Sequence, residues 1–258
     1  MTLDLFARPA LLFLPANRQS AVARARESGA DMVVLDLEDA VKPGDKAAAR
    51  IAAVAAVAEH WSMPVAIRIN GIGTAHHDAD LAAARGSDCD LIIVPMVGRP
   101  LAIIGKPVAA MIETAAGVLA APAIARTVCA LIVGTNDLAA SLHLPSIDRV
   151  SMGHSLQSAV VAARAAGIAV FDGVTNQLDD PDRLARECAD SRALGFDGKS
   201  LIHPDQIAAC QQAFAPTNEE VARAQRLIAA ASGGAERFEG AMIEDLHVAA
   251  ARRLLAGR

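Results

Sequence analysis

The chain has no tyrosine and one tryptophan, and aromatics make up 3% of its 258 residues. Without a phenol, proton transfer falls to Asp, Glu, His, Lys and Cys. Four cysteines, Cys89, Cys129, Cys188 and Cys210, are scattered with no CxxC pair. This argues against a thiolate metal site or a disulfide framework and leaves reduced thiols. No apolar run approaches the ~18 residues of a membrane span. The opening MTLDLFARP lacks a basic segment followed by an apolar core, so no secretory signal is expected and a cytoplasmic protein is. Net charge is −5 with no basic run, which makes a nucleic-acid surface unexpected.

What is present is a regular alternation. Hydrophobic residues reach 53%, enough for a sizeable core. Apolar strand-like runs at Leu11 to Pro15, Met32 to Leu37, Pro64 to Asn70, Leu91 to Met96, Val108 to Glu113, Ala130 to Val133, Ile168 to Asp172 and Lys199 to Ile202 alternate with helical patterns. One such helix is missing or short, between Val97 and Lys106. Eight β-then-α units with short connections predict a parallel (β/α)8 TIM barrel over residues 1–215. Residues 216–258 are expected to form a C-terminal helical arm, with a Ser-Gly-Gly linker at Ser232 to Gly234. An open doubly wound sheet is the alternative; against it, no GxGxxG or Walker-type glycine pattern follows the first strand.

In such a barrel the C-terminal strand ends face one mouth, where catalytic groups gather. Asp36, Glu38 and Asp39 close strand two, Arg68 and Asn70 strand three, Met96 strand four and Glu113 strand five. Asp137 follows strand six, Asp172 ends strand seven and His203 follows strand eight. Acids dominate, and an excess of oxygen ligands without a cysteine or histidine cluster suits a hard divalent cation such as Mg2+. Competing structural roles stand beside this: Glu113 and Asp137 can each cap the helix that follows, and Arg68 can form a purely structural ion pair. His76-His77-Asp78 is expected to be a polar helix start, and His203 to orient its loop.

Six segments, RPALLFLPANR, GADMVVLDLEDAVKPGDKAAAR, VAIRINGIGT, AAMIETAAGV, IVGTNDLAASL and GFDGKSLIHPDQI, resemble in that order the citrate lyase beta subunit family. That family includes malyl-CoA and other β-hydroxyacyl-CoA lyases, within the wider HpcH/HpaI aldolase superfamily. The resemblance runs from about Arg8 to Leu255. It implies a Mg2+-dependent lyase, a homotrimer or dimer of trimers, that cleaves or forms the bond between an acyl thioester of coenzyme A and an α-keto acid.

Residue by residue, it assigns the metal ligands to Glu113 and Asp137, and substrate and enolate contact to Arg68. Asp36, Glu38 and Asp39 would hold metal-bound waters and orient Arg68. Arg18, at the first strand-to-helix turn, is a candidate contact for coenzyme phosphates. Where the family's C-terminal arm reads close to MIDAP, this chain has GAMIEDL, placing Glu244 at the position of the acid that moves a proton on the thioester methyl. The arm is expected to reach a neighbouring subunit. Met96 replaces a usual lysine. The departures keep open an acyl-CoA thioesterase, an aldolase on free hydroxy-keto acids, or a non-catalytic acyl-carrier-binding subunit.

Overall fold

β-Branched and leucine-rich strands whose two faces are both apolar cannot lie at a surface, and a closed parallel sheet sheathed in helices is the arrangement that buries them. The computed structural model describes residues 3–103 and 105–256, and the chain divides into two compact units, Met1–Phe214 and Ala215–Arg258.

The first unit is a closed eight-stranded barrel in which β1 (Ala10–Pro15), β2 (Met32–Asp36), β3 (Val65–Arg68), β4 (Leu91–Val94), β5 (Val108–Ile112), β6 (Ala130–Val133), β7 (Ala169–Asp172) and β8 (Gly198–Leu201) follow one another in order. All neighbours are parallel, and β1 pairs with β8 to close the ring. The helices around it are α1 (Gln19–Ala25), α2 (Lys46–Val57), α3 (His77–Gly86), α4 (Ala115–Ala125), α5 (Thr135–Ser141), α6 (Gly153–Ala166), α7 (Pro181–Leu194) and α8 (Ile207–Phe214). No helix lies between β4 and β5 among the described residues.

Alternation divides the core into two shells. Leu11, Met32, Val34, Ala66, Ile93, Met111, Ile132 and Phe171 fill the barrel. Leu12, Leu35, Ile67, Ile92, Ile112 and Val170 face the helices. The inward parity carries Asp36 and Arg68 to the mouth, paired in register at the ends of β2 and β3.

The same parity sends Asp172 outward, although it ends its strand as a mouth residue would. Its carboxylate accepts from Arg149 at 2.8 Å, from Lys199 at 3.2 Å and from the Ser191 hydroxyl. Burial alone would raise the Asp172 pKa, but Lys199, Arg149 and Ser191 more than offset it and hold it below the ordinary value. Asn70 also leaves the mouth, because β3 stops at Arg68. Its side chain turns back to donate to Leu37 O and Asp80 and to accept from Lys46.

The second unit pairs α9 (Asn218–Ala230), capped by Thr217 with Glu220 in a reciprocal box, with α10 (Asp245–Leu255). Between them lies a hairpin, β9 (Glu236–Phe238) and β10 (Ala241–Ile243), where the sequence suggested only a linker running into a helix. Among the described residues no helix is long and apolar enough to cross a membrane.

The outward ion cluster gives a stability prediction. Lys199→Met leaves Asp172 buried with one of its two cations gone and should cost about 3–5 kcal/mol in urea unfolding. A cost below about 1 kcal/mol would show that Arg149 alone compensates the charge.

Candidate active site at the barrel mouth

A cavity of about 380 Å³ opens at the C-terminal end of the barrel. Asp36 and Arg68 are its base. Arg68 Nε and Nη2 donate to the two Asp36 oxygens, each at 2.7 Å, in a bidentate fork. The Glu38 and Ala40 backbone N–H groups donate to the same two oxygens, at 2.8 and 3.0 Å. Four donors fill the roughly four lone-pair sites of a carboxylate, so Asp36 is committed to the guanidinium and to the turn that follows it.

Arg68 is 9% exposed and lies 5.5 Å from the centroid of the Phe13 ring. Burial works against its charge, yet Asp36, Glu38 and Glu113 hold its pKa above the ordinary value. Its remaining nitrogen, Nη1, is 2.7 Å from Glu38 Oε2, an ion-pair distance without hydrogen-bond alignment. The same nitrogen is 3.9 Å from Asp39 Oδ2 and faces the Met111 sulfur. It is the part of the guanidinium left for a ligand.

The turn is also held from behind. Lys46 Nζ, on the first turn of α2, donates to Leu37 O at 3.0 Å, Glu38 O at 2.8 Å and Asn70 Oδ1 at 2.7 Å. Sequence reasoning missed this residue; its signal is a lone lysine opening an alanine-rich helix that buries one face.

Glu113 and Asp137 do not act as caps. Thr114 caps α4 by accepting from Gly117 N at 3.0 Å, and the N-cap of α5 is Gly134, with Asp137 in the first turn. Glu113 is 2% exposed and its Oε2 accepts from the Met96 backbone N–H at 2.7 Å. Met96 donates from a left-handed conformation, φ 54°, which a non-glycine residue adopts at a cost of about 1–2 kcal/mol. Its own side chain is half-exposed. Glu113 also lies across Gly134, where an added Cβ would clash with the Glu113 carboxylate. The glycine exists to admit the carboxylate.

The acids crowd one another. Burial pushes Glu113 up to about 7, against the Met96 N–H and Arg68, while Asp137 and Asp39 add to the rise. Burial likewise pushes Glu38 up to about 8, only partly offset by Arg68, with Asp39, Glu113 and Asp36 raising it further. Asp137 is raised by burial and by Asp39. Carboxylates in this state resist ionisation, and a nearby cation would relieve them. Among the described residues no three His, Cys, Asp or Glu side chains form a ready cage, but a hard cation needs only one or two carboxylates when water and substrate oxygens complete its shell. Glu113 and Asp137 are the two at the mouth whose oxygens are not committed to Arg68.

Of the other sequence candidates, Asp39 lines the cavity and is largely exposed. Arg18 precedes α1 with an exposed side chain outside the cavity lining. Glu244 belongs to the second unit, exposed at the start of α10, with its N–H on His247 Nδ1 at 2.9 Å. His77 begins α3 with Nδ1 on Asn70 O, and His203 accepts from Asp205 N, both orienting loops.

Glu38, Glu113 and Asp137 all bind protons more tightly folded than unfolded. Cation-free stability should therefore fall as pH rises from 4.5 towards about 8. Mg2+ should then raise Tm more at about pH 8 than at about pH 5.5, since it competes with those protons. An equal gain at both would contradict the assigned pKa shifts.

The HpcH/HpaI aldolase/citrate lyase family matches residues 9–105 and 102–204. A (3S)-malyl-CoA thioesterase of Cereibacter sphaeroides is 35% identical over 264 residues, covering 95% of this chain and 93% of that protein. The citrate lyase subunit beta of Leuconostoc mesenteroides subsp. cremoris is 32% identical over 257 residues, covering 90% and 85%. Among solved structures, CitE of Mycobacterium tuberculosis, in complex with magnesium, acetoacetate and coenzyme A, superimposes with a TM-score of 0.88 at 32% identity, covering 98% of this chain and 99% of that one. With a matching closed barrel and matches along nearly its whole length, the chain belongs to the HpcH/HpaI aldolase/citrate lyase family.

Proposed function

We propose that the protein is a Mg2+-dependent carbon–carbon lyase that cleaves, or in reverse forms, a β-hydroxyacyl-CoA thioester, with an acyl-CoA and a 2-oxo acid as the other side of the reaction. The observation that carries this reading is the pairing, in one cavity, of two carboxylates that are not forked onto Arg68, Glu113 and Asp137, with a guanidinium braced from behind by Asp36. The magnesium and coenzyme A found with CitE support it. Glu113 and Asp137 would hold the ion, which supplies a Lewis acid beside the keto and carboxylate oxygens.

In cleavage the carbinol O–H passes its proton to a water at the mouth and becomes a carbonyl, while the proton that reaches carbon comes from a separate acid. The bond between the α and β carbons breaks with its electron pair passing to the thioester fragment, whose α carbon then takes a proton to become a methyl group. Arg68 Nη1 offsets the negative charge that develops on the thioester fragment. Asp36 prevents the guanidinium from swinging away, so no reorientation accompanies the reaction. Glu38 and Asp39 keep Nη1 from turning outward and, with the ion bound, would hold its waters. The proton on the thioester carbon we assign to Glu244, on the resemblance of GAMIEDL alone, in an arm expected to serve a site of the same trimer. Arg18 is assigned to the coenzyme phosphates on its place at the first turn.

A second reading, thioester hydrolysis, is favoured by the 35% identity to the (3S)-malyl-CoA thioesterase and by a glutamate at 244. There water attacks the thioester carbonyl, and the free hydroxy acid and coenzyme thiol leave with every carbon–carbon bond intact.

Product analysis decides between them. Incubation of malyl-CoA or citryl-CoA with Mg2+ should yield a 2-oxo acid and acetyl-CoA without free thiol; thiol release with an intact hydroxy acid identifies the thioesterase. Calorimetric Mg2+ titration should show losses of at least about tenfold in affinity for Glu113→Gln, Asp137→Asn and Gly134→Ala, the last by displacing Glu113, and a smaller loss for Glu38→Gln. The reverse order for Glu38 and Glu113 would move the ion to the β2 turn.

A further inference from the structure

Three segments form one side of the cavity rim, those that follow β6, β7 and β8, and each brings lining residues to it: Asn136 and Asp137, Val174 and Asn176, and Ile202. The middle segment, residues 173–180, carries neither helix nor strand, so its backbone groups need partners elsewhere. Gln206, in the 3-10 turn Pro204–Gln206 that precedes α8, is 4% exposed and does not line the cavity. Its Oε1 accepts from the backbone N–H groups of Ile202 at 2.9 Å and His203 at 3.3 Å, which closes its own turn. Its Nε2 reaches the other way and donates to Thr175 O at 3.0 Å, 31 residues back in the chain. Capping the β8 segment needs only the oxygen; the nitrogen ties that segment to the one after β7. Thr175, itself buried, is held from its other end by its hydroxyl, which donates to Glu187 Oε2 at 2.6 Å.

The next residue carries the link across the rim. Asn176 and Asn136 exchange amide hydrogen bonds, 2.8 Å from the Asn176 donor and 3.4 Å from the Asn136 donor, and Asn136 precedes Asp137 in the first turn of α5. That turn has little of its own to secure it. Its N-cap, Gly134, offers no side-chain cap, and the Thr135 hydroxyl is buried without a partner among the described residues. At seven residues, α5 is also too short to be stable on its own hydrogen bonds. The amide pair is therefore a tether on the turn that aims Asp137, and the tether is anchored through Thr175 at Gln206. We infer that Gln206 is a positioning residue of this site, which through Thr175 and the Asn176–Asn136 pair fixes the carboxylate of Asp137. The inference rests on the function proposed above, in which Asp137 holds the ion.

The test uses the full chain and two variants. Gln206→Leu keeps most of the side-chain bulk and removes both ends of the amide, whereas Asn176→Ala cuts the tether at an exposed position and leaves the bonds of Gln206 in place. In hydrogen exchange followed by mass spectrometry, Gln206→Leu should speed exchange of the amides of residues 135–139 at least about fivefold, although they belong to another barrel segment. Calorimetric titration with Mg2+, without substrate so that rim contacts to substrate do not enter, should show an affinity about three- to tenfold lower. Asn176→Ala should reproduce both effects with exchange at Ile202 and His203 as in the wild type. Because both changes cut one chain of bonds, the double variant should lose no more Mg2+ affinity than the more impaired single variant. Faster exchange confined to residues 202–207, with residues 135–139 and Mg2+ affinity unchanged, would make Gln206 a local cap and overturn the inference, as would additive losses in the double variant. Should Gln206→Leu fail to fold, Asn176→Ala decides, with faster exchange at residues 135–139 supporting the tether and unchanged exchange overturning it. A wild-type chain that binds no Mg2+ ends the function proposed for Asp137, and exchange at residues 135–139 alone then decides whether Gln206 holds that turn.

Discussion

A guanidinium held inside a barrel mouth is the constraint on which the rest of this site turns. Arg68 is carried inward by the alternation of β3, and an unpaired charge in that position would be untenable. Asp36, its register partner on β2, answers with both oxygens. The same two oxygens take the N–H groups of Glu38 and Ala40, so one carboxylate fixes both the cation and the turn that carries the next two acids. Lys46 secures the other side of that turn through its carbonyls. The consequence is a division of labour: the acids of the β2 turn serve the arginine, and the acids after β5 and β6 are left over.

Those remaining acids are placed by means that cost the fold something. Glu113 needs a left-handed Met96 to donate to it and a glycine at position 134 to lie against. Strain and lost packing of this kind persist where a site requires them. The raised pKa values of Glu38, Glu113 and Asp137 have the same origin, since carboxylates drawn together in a partly dry cavity resist ionisation until a cation joins them. Lyase and thioesterase chemistry make the same first demand on such a mouth, an ion and a guanidinium beside a thioester; they part at the group that moves the proton or the water.

Much of this was legible in the sequence, for reasons that the structure makes physical. Eight apolar runs between helical patterns define a barrel because each strand is buried on both faces, and the charges that interrupt them, such as Arg68 within VAIRIN, stand out against that background. Position at a strand end was not sufficient, however. Asp172 ends β7 on the outward parity and joins Lys199 and Arg149, and Asn70 lies past the point where β3 stops. The buried hydroxyls of Thr135 and Ser200 carry no sequence signal, because hydroxyls at strand ends are common and only the lack of a partner among the described residues distinguishes them. The hairpin of β9 and β10 was hidden by its shortness, three residues a strand, and by the glycines around it.

On the proposed function the ion belongs to Glu113 and Asp137, while Asp36 belongs to Arg68. The most direct measurement is the anomalous difference map of a crystal soaked with Mn2+ in place of Mg2+. A single strong peak in ligand contact with one oxygen each of Glu113 and Asp137, with Asp36 still forked on Arg68, is the predicted result. A peak bound directly to Asp36 or Glu38, with Arg68 released from its fork, would contradict it.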